Sequence, residues 1–327
     1  MHHSLVYSMD YHEPDHTWTI WYPTFEAFSE KCVIKGRFHS LVPEDIVKSY
    51  HVAEYIMAHA WYHYPMYDEA MLRLSGVTEM SIIRRCADCQ IALKEYDGQG
   101  QLIERTFHDL ICELHKKEPG KQLKFSLDWI RELRNQLVHP KKFGFAGMMI
   151  HTSVQEVVNI INKLFLPEEL LLSYFEQRKK MASQLKPFLT GAWELVHDGR
   201  LWLVEKCKVS MSIRSGNEWH YLLVLYPVYK DFTQALKSKS FMPVLCFDVT
   251  HIKTGKIFFE AINTLTGEPV RLTQVRQPGF KEVYDKHRAE WKRAEKFEQV
   301  IYNSMKSDEI EFRESELYYK YLVNVIQ

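Results

Sequence analysis

The spacing of apolar residues changes once along this chain, near residue 190. Between residues 43 and 186, apolar positions recur every three or four residues, which is the period of an amphipathic α-helix. Between residues 201 and 275, they alternate with polar positions, as in a β-strand with one face in water. Because neither pattern suits the other element, we expect a helical region followed by a β-rich region.

The fold class predicted from these two periods is α+β. The chain of 327 residues is long enough for two domains. We expect an extended, aromatic N-terminal segment over 1–42, an all-α bundle over 43–189, an antiparallel β-rich domain over 190–279 and C-terminal helices over 280–327.

Start and stop residues set the expected elements within these regions. Bundle helices are predicted over 43–64, 67–74, 78–96, 104–117 and 126–138, from about 152, and over 168–185. A break at Gly76 separates the predicted helix over 67–74 from the one over 78–96. Strands are predicted over 201–214, 219–229, 244–252, 256–263 and 270–275.

Charge and composition restrict the class of protein. The 42 Lys and Arg residues balance 42 Asp and Glu residues, so any contact with RNA must be local. An apolar fraction of 46% with 13% aromatic residues is typical of a folded protein. The apolar runs are too short to cross a bilayer, and the six scattered cysteines favour reduced thiols. We therefore expect a cytoplasmic protein that makes no membrane contact.

The segment 126–140 carries the clearest chemical information. Ser126 is placed to cap a helix with Asp128 in its first turn, and Pro140 is placed to end it. One face of this helix is an apolar stripe of Leu127, Ile130, Leu133 and Leu137.

Polar residues near the end of the same helix form a candidate site. On an ideal helix, Arg134 and His139 point about 140° apart. Because Pro140 disfavours helical backbone at His139, the imidazole can turn toward Arg134 and Asn135. A guanidinium, an amide and an imidazole in one pocket are suited to acid/base chemistry at a phosphate.

This Arg134-Asn135-Gln136-Leu137-Val138-His139 sequence, at the end of a helix within an all-α bundle, resembles the HEPN (higher eukaryotes and prokaryotes nucleotide-binding) superfamily. The hallmark there is an Arg, often followed by a polar residue, and a His a few residues later. The resemblance covers about residues 43–186. It implies a metal-independent endoribonuclease in which the motifs of two copies face each other, as in many toxin–antitoxin and antiviral systems.

The resemblance also assigns expected roles. Arg134, Asn135 and His139 are the expected catalytic residues. Arg131, Lys141 and Lys142 are the expected substrate-binding residues, because their positive charges suit an RNA backbone. The expected partners are RNA, a second copy of the chain and an antitoxin or sensor protein, with no cofactor. The alternative is a non-catalytic dimerisation or nucleotide-binding module in a regulatory or defence complex.

Two other pairs have spacings that occur at metal sites. Cys86 and Cys89 form a CxxC inside a predicted helix without a second pair, and His59 and His63 lie one turn apart among aromatic residues. Packing is the better interpretation of both pairs, so we expect no metal site.

Overall fold

The computed structural model describes residues 12–117, 120–138, 149–197 and 199–326. Its α-helices and antiparallel strands make the fold α+β. Two compact units divide the chain at residues 168 and 169. This division lies before the expected domain boundary at residue 189, because most of the helix Glu168–Gln184 belongs to the second unit.

Within the described residues, the regular elements of the first unit are helices and one short hairpin. Its elements are α1 (His16–Thr19), α2 (Phe25–Cys32), α3 (Glu44–His59), α4 (Met66–Asp88), β1 (Lys94–Tyr96), β2 (Leu102–Glu104), α5 (Phe107–Leu114), α6 (Lys124–Val138) and α7 (Met149–Phe165). The long helix α4 packs against α3, α5, α6 and α7. Thr106 and Asp109 form a capping box that starts α5.

Two short helices, α1 and α2, lie in the described part of the N-terminal segment, so the expected extended conformation is wrong over 16–19 and 25–32. The Asp15 carboxylate accepts a hydrogen bond from the Thr17 amide at the start of α1, and the Thr24 hydroxyl accepts one from the Ala27 amide at the start of α2. The alternating aromatic residues mark packing instead of a strand. Trp18 is buried, and its Nε1 donates to the Ala60 carbonyl oxygen at 2.7 Å.

Gly76 does not interrupt the helix that contains it. The expected helices over 67–74 and 78–96 are one helix, α4, followed by the hairpin. Leu74 and Val77 on either side of the glycine are buried, so their packing outweighs the helix-breaking tendency of glycine, which is only about 1 kcal/mol.

The second half of α7 is enclosed on every side. All residues from 157 to 166 are buried, including Asn162 at 1% exposure. The Asn162 side chain accepts from the His39 amide at 3.1 Å and donates to the Arg37 carbonyl at 2.8 Å. The His39 Nε2 lies 2.8 Å from the Asn162 carbonyl oxygen. These contacts fasten the irregular segment 37–39 to the central helix.

The second unit contains a closed six-stranded antiparallel barrel with strand order β3-β4-β5-β6-β7-β8. The elements of this unit are α8 (Glu168–Gln184), β3 (Trp193–His197), β4 (Arg200–Ser215), β5 (Glu218–Pro227), α9 (Phe232–Ser238), β6 (Leu245–Thr254), β7 (Phe258–Asn263), β8 (Pro269–Gln274), α10 (Pro278–Arg293) and α11 (Lys296–Tyr321). The predicted strands match β4 to β8, whereas β3 and α9 were not predicted.

Apolar side chains fill the barrel. Leu195, Leu223, Val249 and Leu272 are buried inside it, and Phe188 and Met181 extend the same core beyond the strands. The barrel closes where β3 pairs with β8, from Trp193 opposite Gln274 to Val196 opposite Arg271. Closure leaves no unpaired edge between the first and last strands.

Among the helices that the structure describes, none has both the length and the apolar composition needed to span a membrane. The six cysteines are all free thiols.

Truncation of a barrel-core leucine should destabilise the second unit. Leu223 is 0% exposed, so Leu223→Ala should lower the free energy of unfolding by about 2–5 kcal/mol through lost burial and a residual cavity. Leu265 is 86% exposed, and Leu265→Ala should change it by less than about 0.5 kcal/mol. Urea unfolding followed by tryptophan fluorescence measures both. Equal effects would contradict the assignment of Leu223 to the core.

Acidification should weaken the attachment of His39 to α7. Burial lowers the pKa of His39 below its ordinary value of 6.5, an effect only partly offset by the hydrogen bond to Asn162. The unfolded chain therefore takes up the proton at higher pH, so this stability is present above pH 6.5 and is lost as pH falls through the folded-state pKa. Urea unfolding between pH 7 and pH 5 measures the loss.

The control for this prediction is a change at an exposed histidine. His39→Gln should flatten the pH dependence relative to the wild type, and His16→Gln is the comparison variant, because His16 is exposed. Identical pH slopes for the wild type and His39→Gln would contradict the prediction.

Candidate functional site

The candidate site lies on α6, whose start differs from the prediction. The helix begins at Lys124 and not at Ser126, so Ser126 lies within the first turn and is not the cap. The reason is a preceding turn that leads directly into the helix, in which the Leu123 amide bonds to the Gly120 carbonyl and the Leu127 amide bonds to the Leu123 carbonyl. Gly120 is required there, because a Cβ would lie 2.2 Å from the Leu114 carbonyl oxygen.

The first part of the predicted apolar stripe of α6 faces the core. Leu127 and Ile130 are buried, at 0% and 2% exposure, and Leu133 is half-buried. The side chain of Leu137 lies outside the described residues. The helix packs against α4, α5 and α7. This orientation fixes where the polar residues of the last two turns can point.

The Arg134 side chain lies where α6 packs against α4 and α5. Its Nη2 is 3.5 Å from Glu79 Oε2 on α4, and its guanidinium carbon is 5.7 Å from the centre of the Phe107 ring on α5. The Arg134 side chain is 25% exposed. Its Nε is buried without a hydrogen-bond partner among the described residues. Arg134 therefore connects α6 to both α4 and α5.

A small cavity borders the Arg134 side chain. It has a volume of about 10 Å³ and is lined by residues that include Ser75, Thr78 and Leu133. That volume holds about one water molecule and is far too small for a nucleotide. A nucleotide site next to Arg134 would therefore have to lie on the surface.

Arg131 is engaged with α5. Its Nη1 is 2.8 Å from His108 Nδ1, and its Nη2 is 3.5 Å from the carboxylate of Asp128. A guanidinium only donates, so His108 Nδ1 accepts and the proton of the neutral ring sits on Nε2. His108 Nε2 in turn lies 3.6 Å from the Cys112 sulfur. An RNA phosphate that binds Arg131 would share its guanidinium with His108 and Asp128.

The remaining predicted residues differ in how far the structure describes them. Asn135 is exposed on the surface of α6. His139, Lys141 and Lys142 lie outside the described residues. The structure thus places Arg131, Arg134 and Asn135 on the last two turns of one helix and leaves the position of the histidine open.

A second ionisable cluster lies on the outer face of the barrel and was not predicted. The Asp248 carboxylate on β6 is 3.3 Å from His220 Nδ1 on β5 and 3.0 Å from the Lys320 ammonium, and it accepts from the Tyr321 hydroxyl. The rings of His220 and Tyr321 contact each other in a tilted arrangement, with centres 4.2 Å apart and an interplanar angle of 31°. The cluster attaches the end of α11 to the barrel.

The environment of Asp248 favours its charged form. Burial by itself raises the pKa of this carboxyl, but hydrogen bonds from His220, Tyr321 and Lys320 outweigh burial and hold the pKa below its ordinary value. In the sequence, Asp248 alternates with the apolar Phe247 and Val249, which marks it as outward-facing, but the outward face alone does not reveal its partners.

Within the described residues, no group of three or more His, Cys, Asp or Glu side chains is arranged to hold a metal ion. No protein-family model, curated protein or solved structure matches the chain.

Replacement of Asp248 should destabilise the second unit. Asp248→Asn removes the charged acceptor of His220 and Tyr321 and should lower the free energy of unfolding by about 1–3 kcal/mol, because the side chains of Asp248 and His220 are each only 12% exposed. The wild type should also lose stability as pH falls below 3.8 through the lower folded-state pKa, because protonation removes the same charge. The variant should lack this part of the acid dependence.

Asp285, exposed on α10, provides the matched control. Asp285→Asn should change the free energy of unfolding by less than about 0.5 kcal/mol. Thermal and urea unfolding measure the loss of stability in both variants. An equal loss in Asp248→Asn and Asp285→Asn would contradict a stabilising role for the contacts of Asp248.

Proposed function

We propose that the chain is a metal-independent endoribonuclease of HEPN type that acts as a dimer. The observation that carries the proposal is the position of Arg134. Glu79 and Phe107 hold its guanidinium on the last turns of α6, next to the exposed Asn135 and five residues before His139 in sequence. This arrangement fits the motif that the resemblance supplies.

The proposed reaction uses the 2′-hydroxyl of the RNA as the nucleophile. His139 takes the 2′-hydroxyl proton as that oxygen bonds to phosphorus, and a proton is delivered to the leaving 5′-oxygen as its bond to phosphorus breaks. An imidazole is suited to both transfers near neutral pH. Each chain supplies one His139, so a dimer provides one for each transfer.

The other residues have electrostatic roles in this proposal. Arg134 stabilises the charge on the pentavalent phosphorus, because a guanidinium fork matches two phosphate oxygens. Asn135 orients His139 or donates to the phosphate. Arg131, Lys141 and Lys142 attract the RNA backbone. A toxin or antiviral-defence role in the cytoplasm, with an antitoxin or sensor partner, belongs to the same proposal.

A second candidate function is a non-catalytic dimerisation module in a regulatory or defence complex. The observation that favours it is the engagement of Arg134 within its own chain. A guanidinium that bridges Glu79 and Phe107 at 25% side-chain exposure serves as a connection between helices without any ligand. In this case the motif would preserve the bundle and would cut no RNA.

Cleavage of RNA in EDTA tests the first candidate. Purified full-length protein should cut a fluorescently labelled single-stranded RNA and leave 2′,3′-cyclic phosphate and 5′-hydroxyl ends. His139→Ala and Arg134→Ala should each lower the rate by about 100-fold or more, because they remove a proton-transfer group and a transition-state cation. Arg84→Ala is the control, since the Arg84 side chain is 57% exposed and pairs with Asp88.

Further variants separate catalysis from a structural role. If Arg134 acts on the phosphate, Arg134→Lys should lose activity, whereas Glu79→Gln should retain it. If the arginine only connects helices, both should lower the melting temperature similarly. Loss of activity in His108→Ala but not in His139→Ala would move the site to the Arg131–His108 contact. Unchanged cleavage in both His139→Ala and Arg134→Ala would refute the proposed mechanism.

A further inference from the structure

The second unit has an open groove between α9 and the start of α11. Its apolar lining consists of Leu236 and Phe241 on one wall and Phe297 and Ile301 on the other. The groove has a volume of about 300 Å³, enough to admit a bulky side chain. We call it the α9–α11 groove.

Large apolar side chains beside this groove are left in water. Phe297 is 70% exposed and Val300 is 56% exposed, and Ile301 lies next to them. Their spacing of three and four residues places them on one face of α11. A helix face of this kind gains stability by packing against another apolar surface.

The two walls carry opposite charges. Lys237 and Lys239 lie on the α9 side, and Glu295 and Glu298 lie on the α11 side. No ion pair joins these walls within the part of the chain that the structure describes. Glu298 instead accepts a hydrogen bond from the Glu295 amide in a capping box. The groove is therefore apolar at its centre, positive along one side and negative along the other.

We propose that the α9–α11 groove is a self-association surface that binds the same groove of a second copy of the chain. A two-fold axis through the centre of the groove exchanges its walls. The lysine wall of each copy then faces the glutamate wall of the other, and Phe297 packs over Leu236 and Phe241 of the other copy. The charged contact and the apolar contact each form twice, as an isologous interface requires.

This association is independent of RNA cleavage, because every residue that makes it lies in the second unit and none belongs to the proposed active site. A chain that also dimerises through its active site should form species larger than a dimer, and the variants below should weaken only the association step through the groove. A partner of uniform charge would match only one wall. A second copy of the chain matches both walls, so the charge arrangement identifies it as the partner.

Sedimentation equilibrium of the full-length protein tests the interface. Phe297→Asp should raise the dissociation constant of self-association by about 30-fold or more, because it places a charge at the centre of the contact. Leu265→Asp is the matched control: Leu265 is also an exposed apolar residue of this unit, at 86%, but lies in the β7–β8 turn. It should leave the dissociation constant unchanged.

Charge exchange tests the two-fold arrangement itself. A chain with Lys237→Glu and Lys239→Glu should associate weakly with itself, and so should a chain with Glu295→Lys and Glu298→Lys. Mixed together, the two should associate, because each contact then joins a lysine wall to a glutamate wall. Melting temperatures near that of the wild type establish that the loss of the capping box leaves the unit folded.

The outcomes separate clearly. Weak association of each charge variant alone, together with recovery in the mixture, supports the proposal. Association that is insensitive to Phe297→Asp, or a mixture of charge variants that associates no better than either alone, would overturn it. A wild-type protein that is monomeric throughout the accessible concentration range would do so as well.

Discussion

Burial of the second half of α7 is the constraint on which the first unit depends. A side-chain amide enclosed by protein requires internal hydrogen bonds, because an unpaired buried amide costs about 1–3 kcal/mol. Asn162 meets this requirement through the backbone of residues 37–39, and His39 completes the contact. The connection between α2 and α3 consequently has a fixed path although it contains no helix or strand. A polar residue in the core thus specifies the position of a loop more than a hundred positions away in sequence.

In the second unit, the fold depends on closure of the barrel through pairing of β3 with β8. Alternation of apolar and polar residues predicts which stretches are strands, and β4 to β8 agree with that prediction. It does not reveal that the first and last strands meet, because the pairing of β3 with β8 joins segments about eighty residues apart. The short β3 carries little pattern of its own, and its partners on both sides determine that it is a strand. Closure also explains why α10 and α11 follow the last strand instead of another strand.

Some features of the candidate site can be predicted from local sequence spacing, and others depend on long-range packing. The apolar stripe of α6, and with it the exposed position of Asn135, follows from helical spacing within a few turns. The ion pair of Arg134 with Glu79 spans 55 positions and depends on how α4 crosses α6, which no local pattern records. The N-terminal helices were missed because alternating aromatic residues resemble a strand, whereas capping by Asp15 and Thr24 decides the conformation. The structure does not describe His139, so the complete motif stays a prediction from sequence.

The contact between Arg134 and Glu79 has a thermodynamic consequence for an anion that binds through the same donor. Glu79 contacts the guanidinium through Nη2, so an incoming anion that takes this donor competes with an internal carboxylate. The apparent affinity of such an anion is reduced by the free energy needed to displace Glu79, and its binding is coupled to loosening of the contact between α4 and α6. In the absence of an anion, the carboxylate keeps the arginine in place and masks its charge. Binding of such an anion and the packing of α6 against α4 are therefore thermodynamically linked.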